Sequence, residues 1–138
     1  MIREAEYLIS LCKAYLYGEE LSPDTALDYE LLYKIARTHN LSAAAFTVMN
    51  TSSGKELIPA QSLKRFEDDF YESVIRYDAQ GAVMTALDGL LSEKEIPHIF
   101  FKGAVIRDSF PVPEARVMGD IDVLIKPEKR SAVKALLE

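Results

Sequence analysis

Cysteine is almost absent from this chain: Cys12 is the only one among 138 residues. An internal disulfide is thereby excluded, and the usage fits a reducing compartment. With Leu11, Tyr15 and Leu16 as neighbours, the thiol reads as a buried structural group. No apolar run approaches the roughly 20 residues that span a bilayer, so no transmembrane helix is expected. The start Met1-Ile2-Arg3-Glu4-Ala5-Glu6 lacks the basic head and apolar core of a secretion signal. These absences together predict a cytoplasmic protein. A basic excess is missing as well. Lys and Arg number 16 against 22 Asp and Glu, a formal charge of −6. Gripping a nucleic-acid backbone takes clustered cations, so a general electrostatic hold is excluded, while a local basic pocket is not. Repeats and low-complexity segments are also absent.

What is present suits one domain, or a domain with part of a second. About half the residues are apolar and about a quarter charged, as in ordinary globular proteins. The first two-thirds reads as helix. From Ile2 to Tyr17, the residues Ala5, Leu8, Ile9, Cys12, Tyr15 and Leu16 recur at three-and-four spacing, the stripe of an amphipathic helix that Gly18 ends. Ser22-Pro23-Asp24 predicts the next start, with an N-cap hydroxyl, a first-turn proline and an acid near the positive helix end. That helix would carry Leu27, Leu31, Leu32, Ile35 and Ala36 inward. Ser42 should cap a small-residue helix running through about Met49. Asn50 to Gly54 reads as a loop.

From about Ala60 to Glu95 one long pattern follows. Leu63, Phe66, Phe70, Val74, Tyr77, Met84, Leu87 and Leu91 keep a heptad-like seam. At roughly 1.5 Å per residue the rod would reach about 50 Å, so the earlier helices should pack along it. Gly81 interrupts the seam at a cost of about 1 kcal/mol relative to alanine, which predicts either close packing or a bend there. Pro97 ends the helical region. His98 to Phe101 reads as a short strand, Gly103 to Phe110 as a short helix, and Asp120 to Ile125 as a second strand. Pro127 opens a helix toward Leu137. The fold class expected is α+β: a helical bundle over residues 1–96, then the start of a truncated sheet over 97–138.

The chemistry is concentrated in Phe101-Lys102-Gly103-Ala104 and Met118-Gly119-Asp120-Ile121-Asp122-Val123-Leu124-Ile125. Alternation along a strand would put Asp120 and Asp122 on one face and Ile121, Val123 and Ile125 on the other. Adjacent carboxylates repel unless a cation lies between them, and Mg²⁺ takes one or two carboxylates with phosphate oxygens. Here the acids open the strand. In Asp-x-Asp phosphatases and glycosyltransferases they end it, which makes those classes the weaker reading.

Phe101 to Ala104, then Arg116, then Met118 to Asp122 resemble the uncharacterised nucleotidyltransferases, a branch of the superfamily related to DNA polymerase beta. The likeness covers about residues 97–126. It implies a polymerase-beta-like sheet, an NTP substrate, Mg²⁺ or Mn²⁺ on Asp120 and Asp122, and transfer of a nucleotidyl group with loss of pyrophosphate. The acceptor is open: a small molecule, an RNA end or a protein side chain. Gly103 and Ala104 would meet phosphate through backbone N–H groups, with Lys102 and Arg116 neutralising charge. Ala104 stands where the superfamily often has serine or glycine.

A third carboxylate, usual in the superfamily on a later strand, is expected beyond Glu138, since Asp108, Glu114 and Glu128 are not in the right place. That predicts an N-terminal piece of a longer enzyme, inactive alone, whose cut sheet edge invites self-association. The rival class is a helical interaction or regulatory module bearing a degenerate transferase fold. The bland alternatives are the solvated face of an edge strand for the two acids and a Lys102 pairing with Asp120 or Asp122. Arg107 and Asp108 read as an exposed polar face, and His98 as a strand-edge residue with no partner.

Overall fold

A computed structural model describes residues 2–138. Helix α1 spans Arg3–Tyr17, α2 Tyr29–Thr38, α3 Ser42–Thr51 and α4 Ala60–Glu93. Strand β1, His98–Phe101, leads into the short α5, Gly103–Ile106; β2 is Asp122–Ile125 and α6 is Arg130–Leu137. Single 3-10 turns fill Lys55–Leu57, Arg107–Ser109, Pro113–Ala115 and Pro127–Lys129. The class is α+β as expected, a helical N-terminal part followed by a two-stranded antiparallel sheet. Among the described residues no helix is long and apolar enough to cross a membrane.

Local chemistry explains most boundaries and corrects two. Gly18 closes α1 in the left-handed region, φ 68°, with its N–H on the Ala14 carbonyl. The second helix does not begin at Ser22-Pro23-Asp24. Its N-cap is Asp28, whose carboxylate accepts from the N–H groups of Glu30 and Leu31 at 3.0 Å each. Asp24 is already committed, accepting from the Ala26 N–H and from the Arg3 guanidinium. Ser42 is not a cap either. It is a buried first residue of α3, and Leu41 precedes it without a side-chain cap.

Small size is what lets α3 sit in the middle. Ala43, Ala44 and Ala45 are all buried, and α3 packs against both α1 and α4. Its own Met49 is fully enclosed, as are Leu11, Leu32 and Phe66 around it. The Phe66 ring meets Tyr33 edge-on at 5.1 Å, and Phe46 meets Phe70 at 5.4 Å. The stripe of α1 is rotated from its expected position. Leu8, Leu11, Ala14 and Tyr15 point inward, whereas Ile9 and Leu16 are about half exposed. The early helices cover mainly the first half of α4; Ile75 and Val83 on its outer side stay exposed.

The α4 helix runs unbroken through Gly81, where a Cβ would stand 3.7 Å from the Arg107 guanidinium. That is an ordinary contact distance, so an alanine would fit and close approach does not require the glycine. Residues 108–118 fold back onto the bundle and are fastened at four points. Tyr15 donates to the Val112 carbonyl at 2.8 Å, Ser73 to Glu114, Gln80 to Met118 at 2.9 Å, and Tyr77 to the Asp108 carboxylate at 3.0 Å. Ala115 joins the main core. The helical part therefore sets the path of the loop that delivers β2.

Candidate functional site

In the antiparallel register Phe101 stands opposite Asp122, and His98 opposite Ile125. The end of β1 and the start of β2 therefore lie together, and the turn Lys102-Gly103 shares that end of the sheet with Gly119 to Asp122. The ammonium of Lys102 is 3.6 Å from the Asp122 carboxylate. Of the two pairings open to Lys102 from sequence, this is the one formed. Lys102 is largely exposed and Asp122 mostly covered, so the pair sits at the rim. Asp120 is exposed and lies just before the strand, which begins at Asp122. Only one of the two acids is thus a strand residue. Three apolar residues, Phe101, Ile99 and Leu124, share the Asp122 face and are exposed.

Backbone strain falls on Lys102, not on Gly103. Lys102 adopts φ 53°, ψ −129°, a region that L-residues with a Cβ avoid. Its carbonyl then accepts from the N–H groups of Val105 and Ile106, which closes the first turn of α5. Packing gives a glycine at 103 a second reason beside the one expected. A Cβ there would lie 3.1 Å from both Cγ and Sδ of Met118. Met118 is buried and its carbonyl is held by Gln80, so the turn after β1 and the loop before β2 pack directly on each other. Ala104 is buried beneath that turn.

Arg116 is turned another way. Its guanidinium donates to the Val117 carbonyl at 2.6 Å and lies 5.4 Å from the centre of the Phe110 ring. Lys102, Gly103 and Asp122 are brought together; Arg116 borders a cleft against α1 and α3 instead.

Two expectations fail nearby. Arg107 is not on an exposed face: it is 5% exposed, with its guanidinium 4.0 Å from the Tyr77 ring centre and against Gly81. Its Nε has no hydrogen-bond acceptor, and its nearest acid is Asp108 at 3.9 Å. The sequence carried no signal for that burial; only the fold brings Tyr77 and Gly81 against the guanidinium. His98 does have a partner. Its Nδ1 is 2.8 Å from the Ile96 carbonyl and its Nε2 is 2.9 Å from the Asp88 carboxylate. Two acceptors on one ring favour the imidazolium, so the Ile96 carbonyl and then Asp88 push its pKa above the ordinary value.

Among the described residues no group of three or more His, Cys, Asp or Glu side chains is placed to hold a metal ion. The donor set at this end of the sheet is two carboxylates with a lysine at their edge. Oxygen donors in that number suit a hard divalent cation that completes its shell with phosphate oxygens.

Against known families, the chain matches one described as "Uncharacterised nucleotidyltransferase" over residues 25–138. It belongs to that family. The match extends upstream of the motif into α2, α3 and α4, so the helical region is part of what the family shares. No curated protein and no solved structure matches the chain.

Proposed function

We propose that this protein is a nucleotidyltransferase that binds the triphosphate of an NTP and transfers the nucleotidyl group to an acceptor. One observation carries the reading: the β1–β2 register gathers Lys102, Gly103 and Asp122 at one end of the sheet, with Asp120 beside them. A glycine turn, a lysine and two acids at one sheet end suit a metal-bound triphosphate and little else that the family name allows.

Asp120 and Asp122 would hold Mg²⁺ or Mn²⁺, which, when bound, neutralises phosphate charge and stabilises the leaving pyrophosphate. In the free protein Lys102 partly neutralises Asp122. On binding, its ammonium exchanges that carboxylate for phosphate oxygen, a short swing for an exposed side chain. The turn supplies backbone N–H groups at Gly103 and Ala104, with no hydroxyl from Ala104. Arg116, turned toward Phe110, stands outside this grouping. The reading places the activity in the cytoplasm. The alternative, an interaction module with a degenerate transferase fold, draws on Ala104 and on the two-acid donor set.

The test is an amide NMR titration with Mn²⁺, with and without an NTP, beside the double variant Asp120→Asn/Asp122→Asn. Broadening centred on residues 102–104 and 119–123, lost in the variant, is the expected result. Absence of localised broadening at saturating nucleotide would overturn the triphosphate site and leave the interaction module.

A further inference from the structure

The rotation of α1 leaves one row of its side chains only partly covered. Ala5, Ile9, Cys12 and Leu16 follow each other at four-, three- and four-residue steps, so they form one face of the helix. That face is the wall of a groove against His39 and Leu41, with a volume of about 320 Å³. A second cleft, of about 360 Å³, continues from it beneath Phe110 and Arg116, and Cys12, Leu16, His39 and Leu41 line both. Either volume reaches the range of small-molecule sites, about 300–1,000 Å³.

The charges lining this groove are of one sign, and the nearest opposing one, Glu114, acts on Tyr15 from outside the lining. In a chain of net charge −6, not one acid among the described residues lines either cleft. The basic side chains are Lys13, His39 and Arg116. A neighbouring polar cleft on α4, by contrast, carries Asp69 and Glu72 beside Arg37 and Arg76. Arg116 has one donor on the Val117 carbonyl and its guanidinium near the Phe110 ring. A guanidinium offers five donors in a fork that matches a carboxylate, so most of its capacity is free.

We propose that the groove binds an elongated apolar carboxylic acid, its hydrocarbon along Ile9, Cys12 and Leu16 and its carboxylate toward Arg116. Apolar walls supply affinity by removing hydrocarbon from water, and the single-signed rim selects acids over amines. The inference rests on the groove alone and needs neither nucleotide nor metal.

Cys12 is a built-in reporter, being the only cysteine and a lining residue of both clefts. Burial raises its thiol pKa, so its reaction with a disulfide reagent should be slow and sensitive to cover. Decanoate should slow that reaction saturably, whereas decylamine should not. Leu16→Glu places an acid on the wall at a half-exposed position and should weaken decanoate by about tenfold or more, with the circular dichroism unchanged. Leu16→Lys should keep it. Asp120→Asn/Asp122→Asn should bind decanoate as the parent does, which separates this site from the nucleotide site. Equal protection by decanoate and decylamine, or no effect of Leu16→Glu, would overturn the proposal. So would a concentration-dependent dimer that itself protects Cys12, since a second copy would then be the occupant.

Discussion

Lys102 is the residue at which stability and function should pull apart most clearly. It holds φ 53° and ψ −129° with a full side chain, a strain of about 2 kcal/mol. Its salt bridge to Asp122 spans 3.6 Å, but the lysine is 66% exposed, so water and salt reduce the pair to about 0.5 kcal/mol. Lys102→Ala keeps the strain and loses the pair, and should destabilise slightly. Lys102→Gly loses the same pair but releases the strain, less about 0.5–1 kcal/mol for the added freedom of the unfolded chain. Glycine should therefore exceed alanine by about 1 kcal/mol and match or exceed the parent, a gap of about 3–4 °C in melting temperature. Thermal and urea unfolding followed by circular dichroism would measure it. Both variants should weaken NTP in the Mn²⁺ titration, because the cation is gone from each. A Lys102→Gly protein that melts at or below Lys102→Ala would refute the strain assignment.

Phe66 is fully enclosed and meets Tyr33 edge-on, so Phe66→Ala should cost about 3–5 kcal/mol in urea unfolding; a loss under about 1 kcal/mol would mean that the α2–α4 contact is not as described. The His98 pKa is raised above its ordinary value of about 6.5 by the Ile96 carbonyl and Asp88. A raised folded-state pKa stabilises fully below the unfolded value and ceases to do so as pH climbs through the folded one. The melting difference between the parent and Asp88→Asn should therefore be greatest below about pH 6.5 and shrink above it; growth with rising pH would contradict the pairing.

Much of the fold was legible in the sequence because it is local. The three-and-four spacing of Leu63, Phe66, Phe70 and Tyr77 requires a helix whatever lies beside it, and Gly18 stops α1 through its own left-handed backbone. The motif around Lys102-Gly103 and Asp120-Ile121-Asp122 pointed to the family that the match over residues 25–138 shows. Caps were less legible, because Ser22, Asp24 and Asp28 are all competent acceptors. The choice fell to Asp28 once Asp24 was held by Arg3 from another helix.

Only the tertiary structure decided the rest. Periodicity fixes that α1 has an apolar side, but which residues on it face the core depends on the angle at which α3 docks, and that angle left Ile9 and Leu16 outside. Sequence could place Gly81 in a helix and Arg107 in a short turn. That the two meet at all is a contact between residues 26 positions apart, which no local pattern announces. The pairing of Lys102 with Asp122 depends in the same way on strand register, which brings residues 20 apart to 3.6 Å. Hydrogen-bond periodicity is written residue by residue, whereas docking angles and register are properties of the whole packed chain.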